Sequence, residues 1–207
     1  MARQPKFIYF DLGNVLLNFS HRRAAEQMAA VSGASTEQIW GFVFDGSLQT
    51  QLECGQITSS QFCSAFRTAT GSQVTDEVLI QAASDIFWLN APAITIVGQL
   101  AAAGFRLGLL SNTCQAHWDF VVRRFATLKN FFSHRLLSFE FGAMKPDPRF
   151  FRAAIDAASY PANKILFIDD RPEHVQSARS CGIDAVCFTS ARDLARDLSS
   201  RDIRMNY

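Results

Sequence analysis

Apolar residues recur along this chain in short runs that are separated by longer stretches with helical spacing. The runs are bounded by turn-forming residues, and they are Phe7–Phe10, Phe105–Leu110, Ile165–Ile168 and Ala185–Phe188, with a fifth near Arg135–Phe139. Short apolar runs of this kind are typical of strands that are buried on both faces of a sheet. The pattern therefore predicts five strands.

Helical periodicity fills the intervals between most of these runs, at Pro92–Ala103, Gln115–Phe125, Asp147–Ala158 and Pro172–Cys181. Proline near the start of a helix and glycine just past its end are characteristic of helix termini, and Gly104 and Gly182 stand in the second position. Strands that alternate with helices favour a parallel sheet covered by helices on both sides. The predicted fold class is a Rossmann-like α/β core.

The segment from residue 19 to residue 90 follows a different pattern, because it has helical periodicity but no alternating run. The expected helices are His21–Val31, Thr36–Phe44, Leu48–Cys54, Ser59–Thr70 and Thr75–Phe87. Glycines separate several of these stretches, as expected for connecting turns. We therefore predict an all-helical cap domain at 19–90, inserted into a core domain made of residues 1–18 and 91–207.

Composition narrows the class of protein. The 207 residues are 48% hydrophobic and carry a formal net charge of +1, which supports a sizeable core and gives no bulk attraction to nucleic acid or to a membrane surface. The five cysteines form no CxxC pair and have no histidine at zinc spacing, so we expect them to be buried thiols in a reducing cytoplasm. The oligomeric state is not determined by these features.

Polar residues follow three of the predicted strands, where open α/β sheets bind their ligands. They are Asp11 after the first strand, Ser111 and Asn112 after the second, and Asp169 and Asp170 after "ILFI". Lys145 lies nearby in "GAMKPDPRFF". Alone, each has a structural interpretation, such as a helix cap or an acid at a helix start. Together they predict a site for chemistry.

Three adjacent carboxylates raise one another's pKa, and a hard cation such as Mg²⁺ relieves that repulsion with oxygen ligands. The same cation and the ammonium of Lys145 favour a bound phosphate group, which Ser111 also contacts in this interpretation. Asp11 is then the candidate nucleophile, since a carboxylate can form an aspartyl-phosphate that water hydrolyses.

The motifs "FDLGNV", "LLSNT", "MKPDP" and "FIDD" resemble those of the haloacid dehalogenase (HAD) superfamily, which consists mostly of phosphatases, and in particular a bacterial subgroup of sugar-phosphate phosphatases. The resemblance covers nearly the whole chain. It implies that Asp11 and Lys145 are catalytic and that Ser111, Asn112 and Lys145 bind phosphate. It further implies Mg²⁺ on Asp11, the Gly13 carbonyl and Asp170, with Asp169 beside it, and a small phosphorylated substrate such as a sugar phosphate.

Gly13 departs from the commonest pattern of that family, in which a second aspartate at this position transfers protons. Three interpretations stay open at this point: a phosphatase with another acid/base, an inactive protein that binds phosphate compounds, and a metal-independent 2-haloacid dehalogenase. His21 is one candidate for the missing group, because its ordinary pKa near 6.5 lies in the useful range. The glycine itself is expected to permit a sharp turn that presents its carbonyl to the cation.

Overall fold

The computed structural model of the protein describes residues 4–126 and 128–206, and its strands confirm the predicted α/β architecture. They are β1 (Phe7–Phe10), β2 (Leu17–Phe19), β3 (Phe87–Leu89), β4 (Arg106–Ser111), β5 (His134–Leu137), β6 (Ile165–Asp169) and β7 (Asp184–Cys187). Five of them form one sheet in the order β5-β4-β1-β6-β7, and every neighbouring pair is parallel. All five predicted strands are present, with ends displaced by at most two residues.

The helices also follow the predicted pattern closely. They are α1 (His21–Ser32), α2 (Thr36–Ile39), α3 (Leu48–Glu53), α4 (Ser59–Thr70), α5 (Asp76–Ser84), α6 (Ala91–Ala102), α7 (Gln115–Arg124), α8 (Ser138–Phe141), α9 (Pro148–Ala158), α10 (Pro172–Ser180) and α11 (Ala191–Ser199). A π-helical turn, Trp40–Phe44, continues α2, so the single helix predicted at Thr36–Phe44 changes its hydrogen-bond pattern partway. Among the described residues, no helix is both long and apolar enough to cross a membrane.

The central strand β1 is buried along its whole length, which explains why it reads as an uninterrupted apolar run. Its alternate residues pack into two different clusters. Ile8 and Phe10 belong to one cluster, and Phe7 and Tyr9 belong to the other, on the opposite face of the sheet. Both faces are therefore covered, as a parallel sheet requires. This packing holds the end of β1, and thus Asp11, in the middle of the molecule.

Residues 21–84, all of which the structure describes, contain only helices and their connections. They have a hydrophobic core of their own, in which Met28, Phe62, Phe66 and Leu79 are buried. Capping boxes at the N-termini of α2 and α4 provide hydrogen-bond acceptors for backbone N–H groups of the first turn. The helical segment is thus packed as a separate layer, although the division of the chain at residues 19 and 90 remains our proposal.

A short antiparallel ribbon of β2 and β3 forms the two connections to the helical segment, and the sequence analysis did not predict it. Leu17 pairs with Leu89 and Phe19 pairs with Phe87. The helix predicted at Thr75–Phe87 is correspondingly wrong at its end, since α5 stops at Ser84. Strands of three residues are too short to show a period of two, and the paired residues lie 68 to 72 positions apart in the sequence.

Candidate active site

Three neighbouring strands carry the predicted site residues at their carboxyl ends. Ser111 closes β4, Asp169 closes β6, and Asp11 follows β1, which lies between them. The amide of Asp11 donates to the Ile168 carbonyl at 2.8 Å, so the first residue after β1 is still held by the adjacent strand. The sheet therefore brings Asp11, Ser111 and Asp169 to one edge.

Lys145 is the buried cation of this edge. Its Nζ lies 2.9 Å from Oδ1 of Asp11 and 2.6 Å from Oδ2 of Asp169, and its side chain has no exposed surface. Burial lowers the pKa of a lysine, but the two carboxylates outweigh burial here and raise the pKa of Lys145. The ammonium is thus charged and shared between two acids.

The two acids respond to their surroundings in opposite directions. Burial raises the pKa of Asp11 to about 6 in the metal-free protein, and Lys145 only partly offsets that rise. For Asp169, burial acts in the same direction, but Lys145 and His174 prevail and lower its pKa to about 2. Asp169 is therefore a fixed anion, whereas Asp11 is the carboxylate that gains most from a nearby positive charge.

Both carboxylate oxygens of Asp169 are hydrogen-bonded to neighbouring protein groups. Its Oδ1 accepts from the Arg171 amide at 2.9 Å and lies 3.0 Å from Nδ1 of His174, while Oδ2 accepts from Lys145. Since these groups already occupy it, Asp169 positions Lys145 rather than standing free as a ligand. Nothing in the sequence indicates this role of His174, because a histidine five residues beyond an acid, near the start of a helix, forms no distinctive pattern.

Asn112 holds the backbone of Lys145 in place. Its Nδ2 donates to the Lys145 carbonyl at 2.9 Å, and its Oδ1 accepts from the Lys145 amide at 2.8 Å. The role of Asn112 in phosphate binding stays a prediction, and its side chain contacts the backbone of Lys145. Its reciprocal pair of hydrogen bonds ties the loop after β4 to the loop that carries Lys145.

Three carboxylates form a group that fits a divalent cation. Oxygens of Asp11, Asp169 and Asp170 all lie within 4.8 Å of one another. Among the described residues, Oδ2 of Asp11 accepts no hydrogen bond, and Asp170 receives one, from Nδ2 of Asn14 at 3.1 Å. Hard oxygen donors with a net negative charge are what Mg²⁺ prefers. Asp11 and Asp170 are thus free to act as ligands, and Asp169 supports the site from beside it.

The reason for a glycine at position 13 differs from the expected one. Gly13 does not have a positive φ, and the left-handed residue of this loop is Asn14, with φ of 53°. A Cβ on Gly13 would lie 2.8 Å from Cε1 of Phe19, so a side chain here would require the Phe19 ring to shift. A positive φ therefore does not explain the glycine, and the Phe19 ring occupies the space that a side chain would take. The presentation of the Gly13 carbonyl to a cation stays a prediction.

A cleft lies between these strand ends and the helical segment. The core side of its lining includes Gly13, Ser111 and Asn112, while the opposite side includes His21 and Glu53. His117, from the first turn of α7, also lines it. His21 stacks on Phe44 with ring centroids 4.8 Å apart, and burial lowers its pKa. Two histidines and a glutamate therefore face the cleft that Leu12, Gly13 and Ser111 line, next to the strand end that carries Asp11.

Several known proteins are similar to this chain in sequence. The family model of haloacid dehalogenase-like hydrolases matches residues 5–182. Phosphatase MT3486 of Mycobacterium tuberculosis is 29% identical over 203 residues, which cover 93% of each chain. A chloroplast flavin mononucleotide hydrolase of Arabidopsis thaliana is 31% identical over 107 residues, or 52% of this chain and 43% of that protein.

Solved structures extend the likeness over nearly the whole fold. A HAD family enzyme of Bacteroides thetaiotaomicron superposes with a TM-score of 0.84 at 25% identity, covering 95% of this chain and 99% of that one. The same enzyme in complex with magnesium and inorganic phosphate gives a TM-score of 0.78 at 26% identity, with 89% and 94% covered. The family model spans most of the chain, and the fold is that of a HAD family enzyme. The chain therefore belongs to the haloacid dehalogenase-like hydrolases.

Proposed function

We propose that this hydrolase is a Mg²⁺-dependent phosphatase that cleaves a small phosphomonoester through an aspartyl-phosphate on Asp11. The observation that carries the proposal is the unengaged Oδ2 of Asp11, which lies beside a buried ammonium and within 4.8 Å of two other carboxylates. The relatives named as phosphatases, and the Bacteroides enzyme with its magnesium and phosphate, support the same chemistry.

Each step of this reaction conserves atoms and charge. The Asp11 carboxylate attacks phosphorus, a new oxygen–phosphorus bond forms, and the ester bond to the leaving group breaks. The leaving oxygen then takes a proton. A water molecule next attacks the phosphorus of the aspartyl-phosphate, which releases inorganic phosphate and restores the carboxylate. In this proposal Lys145, from the loop before α9, Ser111, at the end of β4, and the backbone N–H of Asn112 bind the phosphoryl oxygens.

A direct test is hydrolysis of a panel of phosphomonoesters in the presence of Mg²⁺, together with acetyl phosphate. Acetate leaves readily from acetyl phosphate without protonation. Hydrolysis of acetyl phosphate therefore reports the chemistry at Asp11 even if acetate does not fit the leaving-group site. We expect phosphate release from acetyl phosphate and from at least one alkyl ester. A protein that only binds phosphate compounds would release none.

A cation held by Asp11, Asp170 and the Gly13 carbonyl would offset the negative charge of the site and of the bound phosphate. The carboxylates Asp11, Asp169 and Asp170 exceed the single ammonium of Lys145 by two charges. Within this arrangement, Asn14 orients Asp170 through the hydrogen bond to its Oδ2. Asp169 keeps Lys145 in position while the charge on Asp11 changes.

Removal of the metal should therefore abolish turnover. We expect EDTA to eliminate acetyl phosphate hydrolysis and added Mg²⁺ to restore it. Asp170→Asn should weaken Mg²⁺ binding, measured by calorimetry, by at least the 10–100-fold that loss of an outer partner typically costs. Asp156→Asn, on an exposed position of α9, serves as the control. Full activity in EDTA would contradict the metal assignment. Release of halide from 2-haloacids without Mg²⁺ is the separate assay for the dehalogenase alternative.

We also propose that His21 supplies the proton that Gly13 cannot. His21 lines the cleft opposite Gly13 and Ser111, on the side where a leaving group must depart. Burial and the nearby His117 both lower the pKa of His21, which favours the neutral ring and suits it to act as a base for the hydrolytic water. The ring is held between Phe19 and Phe44.

His21→Gln should therefore affect substrates unequally. General acid catalysis contributes roughly 10²–10⁴-fold, so we expect a loss of about 100-fold in kcat/KM for an alkyl phosphate. Acetyl phosphate should lose far less, because its leaving group needs no proton. His134→Gln, outside the cleft, is the control, and His117→Gln is the competing variant. If His117→Gln shows the unequal loss and His21→Gln does not, the proton donor is His117.

The finer substrate class, a sugar phosphate, was inferred from the resemblance alone. A sugar leaving group needs several hydrogen-bonding partners, because its hydroxyl groups lose water on binding. On the side of the helical segment, the polar lining of the cleft comes from His21 and Glu53. Sugar phosphates therefore belong in the substrate panel. The apolar cavity next to the cleft favours a different class of leaving group, which is described below.

A further inference from the structure

An apolar cavity lies between the helical segment and the start of α7, where Cys114, Ala116 and His117 form part of its wall, and it adjoins the active-site cleft. His21, Ile86 and His117 line both spaces, so the cavity and the cleft lie next to each other. Its further walls include Met28, Val43, Phe62 and Ile80 from the helical segment, together with Ala83, and its surface is almost entirely apolar. Its volume is about 40 Å³, which is several times the roughly 10–15 Å³ that one water molecule needs.

One polar group in this cavity has no partner. Ser84 ends α5, is 1% exposed and lines the cavity, and its Oγ makes no hydrogen bond. Among the described residues, it is the only buried side-chain nitrogen or oxygen in this condition. A buried hydroxyl without a partner is unfavourable, and native proteins rarely keep one without a reason. A ligand atom that pairs with this hydroxyl would supply that reason.

We infer that this cavity receives the leaving group of the substrate, and that the leaving group is a small, mainly hydrocarbon moiety with a single oxygen that pairs with Ser84. The inference rests on the proposed phosphatase function, which places the phosphate at Asp11 and directs the ester oxygen towards His21. From there the next atoms of the substrate enter the space behind His21, Ile86 and His117. A polyhydroxylated chain would lose its water there without compensation.

Binding of phosphonates in the presence of Mg²⁺ tests this inference, because phosphonates are not hydrolysed and binding does not depend on turnover. The probes are 3-methylbutylphosphonate and 2,3-dihydroxypropylphosphonate, measured by calorimetry. Each methylene group that enters an apolar site corresponds to about fourfold in affinity, so we expect the hydrocarbon probe to bind at least tenfold more tightly. Equal or weaker binding of the hydrocarbon probe would overturn the inference.

Two alanine-to-leucine variants test whether the hydrocarbon group of the probe binds in the cavity. Ala83→Leu adds side-chain volume at the cavity, whereas Ala69→Leu makes the same change at an exposed position of α4. We expect the tenfold preference to disappear in the first variant and to persist in the second. A preference that survives Ala83→Leu would place the hydrocarbon group elsewhere and contradict the inference.

Ser84→Ala separates the role of the hydroxyl from simple packing. Because the free protein loses an unpaired buried hydroxyl, its melting temperature should rise by about 2–4 °C. At the same time, the preference for 3-methoxypropylphosphonate over pentylphosphonate should fall by roughly 2- to 10-fold, since the ether oxygen loses its donor. An unchanged preference would show that Ser84 does not contact the ligand.

The outcomes distinguish the inference from the function on which it rests. If acetyl phosphate is not hydrolysed but the hydrocarbon phosphonate still binds more tightly, the phosphatase proposal fails and the cavity is a ligand site of another kind. If acetyl phosphate is hydrolysed and no hydrocarbon preference exists, the phosphatase proposal holds and the assignment of the cavity fails.

Discussion

Asp11→Asn is expected to reduce phosphate release by roughly 10⁴-fold or more, the scale seen when a nucleophile is removed. The amide is nearly isosteric with the carboxylate, but it is a very poor nucleophile. Its oxygen can still accept the hydrogen bond that Leu12 donates to Oδ1 at 2.7 Å. Lys145 keeps its 2.6 Å contact with Asp169, so the buried ammonium remains paired. The loss should therefore be chemical rather than structural.

Folding and chemistry can be measured separately for this variant. Burial raises the pKa of Asp11, which means that its charge is not favourable for the free protein, and we expect the melting temperature to fall little. Asp156→Asn on α9 controls for the loss of a charge. Beryllium fluoride with Mg²⁺ should form an adduct on Asp11 of the wild type and none on the variant. Hydrolysis by Asp11→Asn at the wild-type rate would end the nucleophile assignment.

Lys145→Met is expected to destabilise the protein by about 3–5 kcal/mol at neutral pH, the usual cost of removing one partner from a buried ion pair. Methionine has a similar length, so the main change is the loss of charge. Both neighbouring acids are buried, and the side chain of Asp169 is fully so. Without the ammonium, two carboxylates are left facing each other across a space with little water.

This cost should depend on pH in a defined direction. In the wild type, the pKa of Asp169 is lowered to about 2, so its stabilising effect is present above its ordinary pKa and is lost only as the pH falls towards 2. In Lys145→Met, the pKa of the same acid should rise, so the variant loses stability as the pH rises.

Urea unfolding at two pH values measures this dependence. The difference between the two proteins in free energy of unfolding should be clearly larger near pH 8 than near pH 4. Lys6→Met, at an exposed position, is the control. A difference that is small at both values would show that the ion pairs do not stabilise the fold.

The positions of the catalytic candidates show why part of the site could be predicted from sequence. Asp11 and Asp169 each stand at the end of a short apolar run, and the parallel arrangement of those runs follows from their alternation with helices. Once the strands are parallel, their carboxyl ends meet at one edge. Lys145 is less directly determined, since its buried contact with both acids depends on the loop that Asn112 holds.

The sequence by itself determined the α/β class, the helical character of residues 21–84 and the chemical types at the strand ends, because these depend on local periodicity and on which residues end each run. Only the tertiary structure decided features that join distant parts of the chain. The β2–β3 ribbon joins residues 17–19 to 87–89, and the Phe19 ring takes the space beside Gly13. His174 fixes Asp169, and Ser84 faces no partner. Such features depend on packing and burial between elements, and no local pattern of residue types specifies them.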